Sequence, residues 1–311
     1  MKRPKVVIGL DAGNENIKIV IFNGKIIIKN KVDKNKQIDV SISKTNDTFN
    51  VTYKDTCYVV GNHAEQPSSR MEGKNTSKHL ICALVAISQL VTNGSELYIV
   101  IGESANVYFN QEHKKNLIEI FTGIHNIKVN DEEYEYLIKE VYVLPEGIGH
   151  KITNYQNYIN NKVSYTVDIG SSTLNYIYTE GLVPIESRCA SFPMGMHNLV
   201  SNIRKSLSRN GGPLNMTDQQ IKEYIENGCK NEKISNIINA EIIKQFNRLD
   251  SYLEADGIRI RDLPEVEFCG GGAVTLQRYI EDIYDNSIIV DDPLWSNVKG
   301  FYKFANQKYN R

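Results

Sequence analysis

Short apolar runs separated by polar turns dominate the first part of the chain. Residues 6–10 (VVIGL) form one apolar run and residues 17–22 (IKIVIF) form a second, with a polar bend between them. Asn23-Gly24 then favours a type I′ turn into a third run, KIIIK. The pattern predicts a three-stranded meander whose first turn is glycine-containing and carries Asp11.

The same order of elements returns near the middle of the chain. The segment SYTVDIGSSTLNYIYTEGLVPIE is typical of strand, bend, strand, turn and strand. It has Asp168 and Gly170 where the first bend has Asp11 and Gly13. A repeat at half the chain length is too long for a solenoid. It indicates two similar domains that each open with this unit.

Strand and helix patterns continue between and after the two repeats. A helix is predicted to be capped by Ser77 and to end at Asn93-Gly94, and LYIVIG, YLIKEVYVL and VEFC are predicted strands. Apolar residues at helical spacing predict three later helices, over residues 196–209, 217–226 and 235–255. Three glycines and an amphipathic helix follow VEFC. The fold class is therefore α/β.

Composition narrows the class of protein. Hydrophobic residues make up 41% of the 311 residues, which is enough for real cores in two domains. The 36 basic and 37 acidic residues give a net charge of −1, so we expect no direct binding of nucleic acid. The five cysteines lack a CxxC pair, which disfavours a zinc site. No apolar run suits a signal peptide or membrane span, so we expect a cytoplasmic protein.

Each Asp-x-Gly bend has the residue types that bind phosphate together with a magnesium ion. Glycine lets backbone N–H groups approach phosphate oxygens, and Asp11 and Asp168 are predicted to hold Mg²⁺ through its water ligands. The residues predicted to bind the cofactor here are Gly13, Asn14, Glu15, Asn16, Lys18, Gly170, Ser171, Ser172 and Thr173. A single such bend is more typical of an ordinary β-turn, but two copies favour phosphate binding.

Two further loops carry candidate residues. The loop Gly270-Gly271-Gly272-Ala273 could hold a base or sugar near the backbone, or could serve close packing of helix on strand. Glu146 follows the strand EVYVL and is the candidate that orients a water for phosphate hydrolysis. By residue type alone, a surface glutamate is the commoner interpretation of that position.

The ordered motifs DAGNENIKI, VLPEGIG, DIGSSTLN, CGGGAV and SNVKGF resemble the actin-like ATPase superfamily, and within it the ParM-type plasmid-segregation proteins. The resemblance implies two ribonuclease-H-like domains with a nucleotide cleft between them. Domain I would be residues 1–158 plus about 297–311, and domain II residues 159–296. The implied cofactors are ATP or ADP with Mg²⁺, with Glu146, Asp11 and Asp168 as catalytic residues and Gly270 to Ala273 at the adenosine.

The resemblance also implies a function. The chain would form filaments with ATP and segregate plasmid DNA through a DNA-binding adaptor protein of the ParR type, without contacting DNA or a membrane itself. The principal alternative is a sugar or acid kinase of the same superfamily. A chaperone, a wall-associated actin and an inactive scaffold are further alternatives, but neither a peptide-binding domain nor an N-terminal amphipathic helix is predicted.

Three residues depart from the pattern of the family. Glu15 places a carboxylate inside the first bend, so we expect its side chain to point away from phosphate. Asn175 stands where relatives often have an aspartate. Gly147 replaces the commoner serine or alanine after the hydrolytic glutamate, which leaves the local geometry and the hydrolysis rate open.

Overall fold

The computed structural model describes residues 3–38, 47–66, 74, 76–159, 162–213 and 215–310. The chain divides into two compact units, the first formed by Met1–Asn157 with Trp295–Arg311 and the second by Tyr158–Leu294. The second unit is thus inserted in the sequence of the first. Each unit has its own sheet with helices packed on it, which confirms the predicted α/β class.

The first unit is built on a mixed sheet. Its strands are β1 (Lys5–Ala12), β2 (Asn16–Ile21), β3 (Gly24–Lys29), β4 (Val32–Lys34), β5 (Thr48–Tyr53), β6 (Thr56–Gly61), β7 (Glu96–Glu103), β8 (Gly123–Val129) and β9 (Glu132–Pro145). Among the described residues these nine strands have the order β3-β2-β1-β7-β9-β8-β5-β6-β4. The predicted meander is confirmed as antiparallel β1, β2 and β3, and β1 also runs parallel to β7.

The second unit repeats this arrangement. Its strands are β10 (Val163–Ile169), β11 (Leu174–Glu180), β12 (Val183–Pro184), β13 (Ala190–Phe192), β14 (Val266–Cys269) and β15 (Ser287–Ile289). Their order is β12-β11-β10-β14-β15, with β13 paired to β11. β10, β11 and β12 are antiparallel, and β10 runs parallel to β14 just as β1 runs parallel to β7. The predicted internal repeat is therefore confirmed in the topology.

The helices cover both sheets. In the described part of the chain they are α1 (Ser77–Ser88), α2 (Ala105–Tyr108), α3 (Gln111–Phe121), α4 (Gly149–Thr153), α5 (Met196–Arg209), α6 (Asp218–Asn227), α7 (Glu232–Ala255), α8 (Gly271–Thr275), α9 (Gln277–Ile283) and α10 (Ser296–Tyr309). Short 3₁₀ turns lie at Tyr155–Tyr158, Glu186–Arg188 and Ile260–Asp262. None of the helices in the described ranges has the length and apolar character needed to cross a membrane.

Two predicted local features of the first unit are wrong. The turn between β2 and β3 is Phe22-Asn23 rather than Asn23-Gly24, because Gly24 already pairs within β3. Neither turn residue has the positive φ that a type I′ turn requires. Helix α1 is capped by Thr76, whose side chain accepts a hydrogen bond from the backbone N–H of His79, and not by Ser77.

The ends of several helices also differ from the prediction. α1 ends at Ser88, whose hydroxyl donates to the Val85 carbonyl oxygen at 2.8 Å and competes with the helical backbone. α7 begins three residues before the predicted Ser235, because the side chain of Asn231 caps it. The helix predicted after the three glycines is split into α8 and α9, because Leu276 (φ −100°, ψ 6°) interrupts it.

A small apolar core joins α4 and α10 to one face of the first sheet. Its buried members are Val7, Val100, Leu144, Ile148, Ile152, Phe301, Ala305 and Tyr309. Ile8 and Leu10 belong to the larger core around α1, so side chains on alternate faces of β1 enter different cores. The contact between helix and helix is very close, because Gly300 of α10 lies against Gly149 of α4.

We expect Gly300→Ala to destabilise the protein, although alanine is the better helix former. A Cβ atom at residue 300 would lie 2.1 Å from the carbonyl oxygen of Gly149. The helices would have to separate, at a cost of about 1–3 kcal/mol or more. That exceeds the gain of about 0.5–1 kcal/mol from helix propensity. Urea unfolding followed by circular dichroism measures the change.

Gln307→Ala is the control for this prediction. Gln307 is an exposed residue of the same helix, so its replacement should change the free energy of unfolding by less than about 0.5 kcal/mol. An unfolding midpoint for Gly300→Ala equal to that of the wild type would contradict the close contact.

Candidate functional site

The first bend is anchored by a buried ion pair. Asp11 near the end of β1 and Lys18 of β2 are direct cross-strand partners, so their side chains lie on the same face of the sheet. Lys18 Nζ lies 2.5 Å from Asp11 Oδ2, and each residue is less than 10% exposed. Lys18 was predicted as a point charge for phosphate. Its ammonium group has three donors, so it can bind a phosphate oxygen and keep Asp11.

The bend itself, Gly13-Asn14-Glu15, is held by Lys29 at the end of β3 and by Asn30, the next residue. The side-chain amide of Asn30 donates to the Gly13 carbonyl oxygen at 2.7 Å, and the Asn30 backbone N–H donates to the Glu15 carbonyl oxygen at 2.9 Å. The Glu15 carboxylate forms an ion pair with Lys29 at 3.2 Å. Lys29 compensates the charge of Glu15, so this departure from the family pattern adds little negative potential to the bend. Asn16 is the first residue of β2.

Lys74 brings Asp11 and Glu146 together, although they are far apart in sequence. Its Nζ atom lies 2.6 Å from Glu146 Oε1 and 3.6 Å from Asp11 Oδ1, and it donates to the Gly102 carbonyl oxygen at 2.7 Å. The backbone N–H of Lys74 donates to Glu103 Oε1 at 2.9 Å. Lys74 is 5% exposed and Glu103 is 1% exposed. We call Asp11, Lys18, Lys74, Glu103 and Glu146 the lysine–carboxylate cluster.

The opposite charges of this cluster stabilise the charged forms of its side chains. Burial by itself raises the pKa of Asp11, but the charges of Lys18 and Lys74 outweigh it and hold the pKa below its usual value. Burial likewise tends to lower the pKa of Lys74, but Glu146, Asp11 and Glu103 raise it above the usual value. Asp11 and Lys74 are therefore both charged at neutral pH. The cluster has three acidic and two basic side chains, a donor set that fits the hydration shell of Mg²⁺ next to phosphate.

The loop that carries Glu146 is positioned by the start of α10. Asn297 Oδ1 accepts hydrogen bonds from the backbone N–H groups of Gly147 at 2.9 Å and Gly149 at 3.4 Å. Gly147 has φ +87°, a conformation that serine or alanine adopts only with strain. The glycine that departs from the family pattern is thus required by the local backbone, and the SNVKGF motif supports the loop of the candidate hydrolytic residue.

The second bend has the same geometry in the second unit. Asp168 of β10 pairs with Asn175 of β11, the position that corresponds to Asp11 with Lys18. Asp168 is 4% exposed. The backbone N–H of Gly170 donates to the Thr173 carbonyl oxygen at 2.9 Å. Backbone N–H groups of residues 195–197, at the start of α5, donate to the carbonyl oxygens of Gly170, Ser171 and Ser172 at 2.8–3.2 Å. These bonds fix the path of the bend.

The glycine loop packs against the end of β10. A Cβ atom on Gly270 would lie 2.3 Å from Asp168 Oδ1, and one on Gly272 would lie 2.3 Å from Ile169 Cγ2. Gly270 also has φ +85°. These two glycines are therefore required for close packing, the second of the two interpretations given above. Gly271 would meet only the side chain of Leu294, at an ordinary 3.4 Å. The role of Gly270 to Ala273 in binding adenosine stays a prediction.

Comparisons with known proteins agree with this arrangement. Residues 9–149 match the family described as the N-terminal domain of actin-like proteins, and residues 166–282 match the C-terminal domain of the MreB-like archaeal actin homologue. The two matches together cover most of the 311 residues. This chain belongs to the actin-like proteins. No curated protein matches the sequence of this actin-like chain.

Solved structures of actin-like proteins share its fold. An archaeal actin homologue, Ta0583, solved as a complex with ADP, has a TM-score of 0.74 and 14% identity over 97% of this chain and 99% of its own. The ParM of a 15-stranded filament from Clostridium botulinum has a TM-score of 0.72 and 19% identity over 98% and 99%. The Alp12 filament structure has a TM-score of 0.70 and 22% identity over 98% and 99%. At these identities the likeness shows the fold alone.

Within this actin-like protein, sequence reasoning missed residues that organise the candidate site. Lys74 lies outside every motif, and nothing in its neighbours indicates that it is buried. Asn30 follows a strand and looks like an ordinary turn residue. Glu103 could have been found, because it ends a buried strand just as the two motif aspartates do. The structure brings Asp11, Lys18 and Glu146 together in the first unit.

In the second unit, the structure brings Asp168 together with the glycine loop and the bend that it precedes. Asn175, which departs from the family pattern, is fully buried beside Asp168 in the sheet. Ser171, Ser172 and Thr173 are half-buried. Their contact with phosphate stays a prediction.

We expect Lys74→Met to destabilise the protein strongly. The variant keeps the length of the side chain but leaves three buried or half-buried acidic groups with one cation fewer. Removing one partner of a buried ion pair costs about 3–5 kcal/mol. As a control, Lys115→Met breaks an exposed pair with Glu119 and should cost less than about 1 kcal/mol. Urea unfolding at neutral pH measures both.

The effect of Lys74→Met should also depend on pH. Because the pKa of Asp11 is lower in the folded protein than in the unfolded chain, Asp11 stabilises the fold above the unfolded pKa of about 4, and this contribution is lost as the pH falls. The difference between Lys74→Met and the wild type should therefore shrink between about pH 6 and pH 3. A difference that is constant over this range would contradict the charge pairing.

Proposed function

We propose that this actin-like protein binds ATP with Mg²⁺ through its two bends, hydrolyses it and assembles into filaments. The observation that carries the proposal is the repeated site, in which Asp11 and Asp168 occupy the same buried position of the same strand–bend–strand unit. A single acidic turn has many explanations. Two matched turns, each next to glycine, fit the two ends of a polyphosphate with its metal ion.

Each group of the site has a role in this proposal. Asp11 and Asp168 bind water ligands of Mg²⁺, which shields the negative charge of the phosphates when it is bound. Lys18 supplies positive charge to the phosphate oxygens. Lys74 holds Glu146 by a short ion pair, so the carboxylate has a fixed position from which to orient a water. The glycine loop provides backbone next to Asp168 for the adenosine.

We further propose that the filaments segregate plasmid DNA through a DNA-binding adaptor protein of the ParR type. The support is the shared fold with a ParM from a filament of Clostridium botulinum and with the Alp12 filament. The net charge of −1 fits a chain that reaches DNA through an adaptor.

Light scattering and phosphate release, followed together after addition of ATP and Mg²⁺ to the purified protein, test the function. We expect scattering to rise with ATP and to decay as phosphate is released. ATP turnover that requires an added sugar or acid, with no rise in scattering, would contradict the filament and identify a kinase. Nucleotide binding with neither turnover nor assembly would indicate an inactive scaffold.

We expect Glu146→Gln to slow phosphate release by about 10²-fold or more, because a positioned carboxylate contributes about 10²–10⁴ to such steps. Assembly with ATP should persist, and the filaments should decay more slowly. Glu140→Gln is the control, since this glutamate of β9 lies outside the cluster and contacts Tyr309 and Lys308. Loss of ATP binding in Glu146→Gln would contradict the hydrolytic role.

We expect Asp168→Asn to weaken the binding of ATP in the presence of Mg²⁺ by about tenfold or more, because the neutral amide attracts the hydrated cation less. With EDTA in place of Mg²⁺, the wild type and the variant should bind ATP with similar affinity. Calorimetric titration under both conditions separates the two cases. An equal loss with and without Mg²⁺ would show that Asp168 acts on the fold or on the nucleotide and not on the metal ion.

A further inference from the structure

The second unit has a partly enclosed surface cavity, with exposed side chains at its rim, that the proposed nucleotide site does not use. It has a volume of about 160 Å³ and lies where α5 and α7 pack against each other. The residues that line it are Pro193, Met194, Asn198, Asn202, Glu241, Lys244, Gln245 and Arg248. None of them belongs to the two bends or to the glycine loop.

The spacing of these residues explains why they converge. Glu241, Lys244, Gln245 and Arg248 are separated by three or four residues and therefore lie along one face of α7. Asn198 and Asn202 are four residues apart, on one face of α5. Six polar side chains from these two helix faces therefore lie around the same cavity.

Part of this cavity is fixed by hydrogen bonds. Gln245 is only 7% exposed, and its amide donates to the Met194 carbonyl oxygen at 3.0 Å. The hydroxyl group of Ser206 donates to Glu241 Oε1 at 2.7 Å. The buried amide and the held carboxylate give the cavity a defined shape, with an acceptor at Glu241.

The remaining polar side chains have no such contacts. Within the described residues, the side chains of Asn198, Asn202, Lys244 and Arg248 form no hydrogen bond or ion pair. This holds although Glu241 is three residues before Lys244, a spacing at which opposite charges usually pair. Two amides and two cations are therefore available as donors around a cavity that has a single carboxylate.

We propose that this cavity binds a small phosphate ester. Arginine and lysine are the side chains that bind phosphate most strongly, through charge-assisted hydrogen bonds, so Lys244 and Arg248 hold the phosphate group. Asn198 and Asn202 add neutral donors to its oxygens. Glu241 repels a bare anion but accepts a hydrogen bond from a hydroxyl group, so the ligand is an ester with at least one hydroxyl. The site is independent of the proposed ATPase function.

Calorimetric titration of the full chain with glycerol 3-phosphate and with inorganic phosphate, at constant ionic strength, tests the site. The wild type should bind the ester more tightly than inorganic phosphate. The double variant Lys244→Gln, Arg248→Gln should bind the ester at least about tenfold more weakly, since each charge-assisted hydrogen bond that is lost weakens binding. Glu241→Ala should remove the preference for the ester.

A matched control has the same change in charge on the same unit. Lys205→Gln with Arg209→Gln alters two exposed cations of α5 that do not line the cavity, and it should bind the ester as the wild type does. Saturating ADP with Mg²⁺ should leave ester binding unchanged. No binding by the wild type, an equal loss in the control, or displacement of the ester by ADP would each overturn the proposal.

Discussion

A buried lysine, Lys74, holds two acidic side chains of the candidate site in place. Asp11 and Glu146 come from different strand ends, and like charges buried side by side repel each other and favour protonation. Lys74 lies between them, at 3.6 Å from one carboxylate and 2.6 Å from the other, and reaches a strand carbonyl oxygen as well. That ammonium group, together with Lys18, keeps the pKa of Asp11 low, and it also forms an ion pair with Glu146.

The two strand–bend–strand units have the same strand pairing but differ in charge at one position. Asp11 pairs across the sheet with a lysine, whereas Asp168 pairs at the same register with an asparagine. Asp11 therefore forms an ion pair with its cross-strand neighbour, whereas the cross-strand neighbour of Asp168 is a neutral amide. The duplicated strand–bend–strand unit therefore has different electrostatics in its two copies.

Local sequence patterns predicted the strands and helices better than they predicted the residues of the candidate site. The spacing of apolar residues is a property of neighbouring residues, so apolar runs located the meanders and helical spacing located the helix over Met196–Arg209. The cap of α1 was misplaced because Thr76 and Ser77 are both good caps and only geometry chooses between them. Lys74 was missed because burial is decided by strands distant in sequence. Gly270 and Gly272 were recognised, but sequence alone does not separate a packing glycine from a ligand-binding one.

The insertion of the second unit within the first has a consequence for synthesis on the ribosome. Val7, Val100 and Leu144 complete their core only with Phe301 and other residues of α10, which are translated after the whole second unit. The second unit can fold as soon as it emerges, since domains generally fold as units during translation. Until α10 is translated, one face of the amino-terminal sheet lacks the helix that covers it. The loop of Glu146 likewise lacks its hydrogen bonds to Asn297 until then. The loop that carries Glu146 is thus among the last parts of the molecule to reach its final structure.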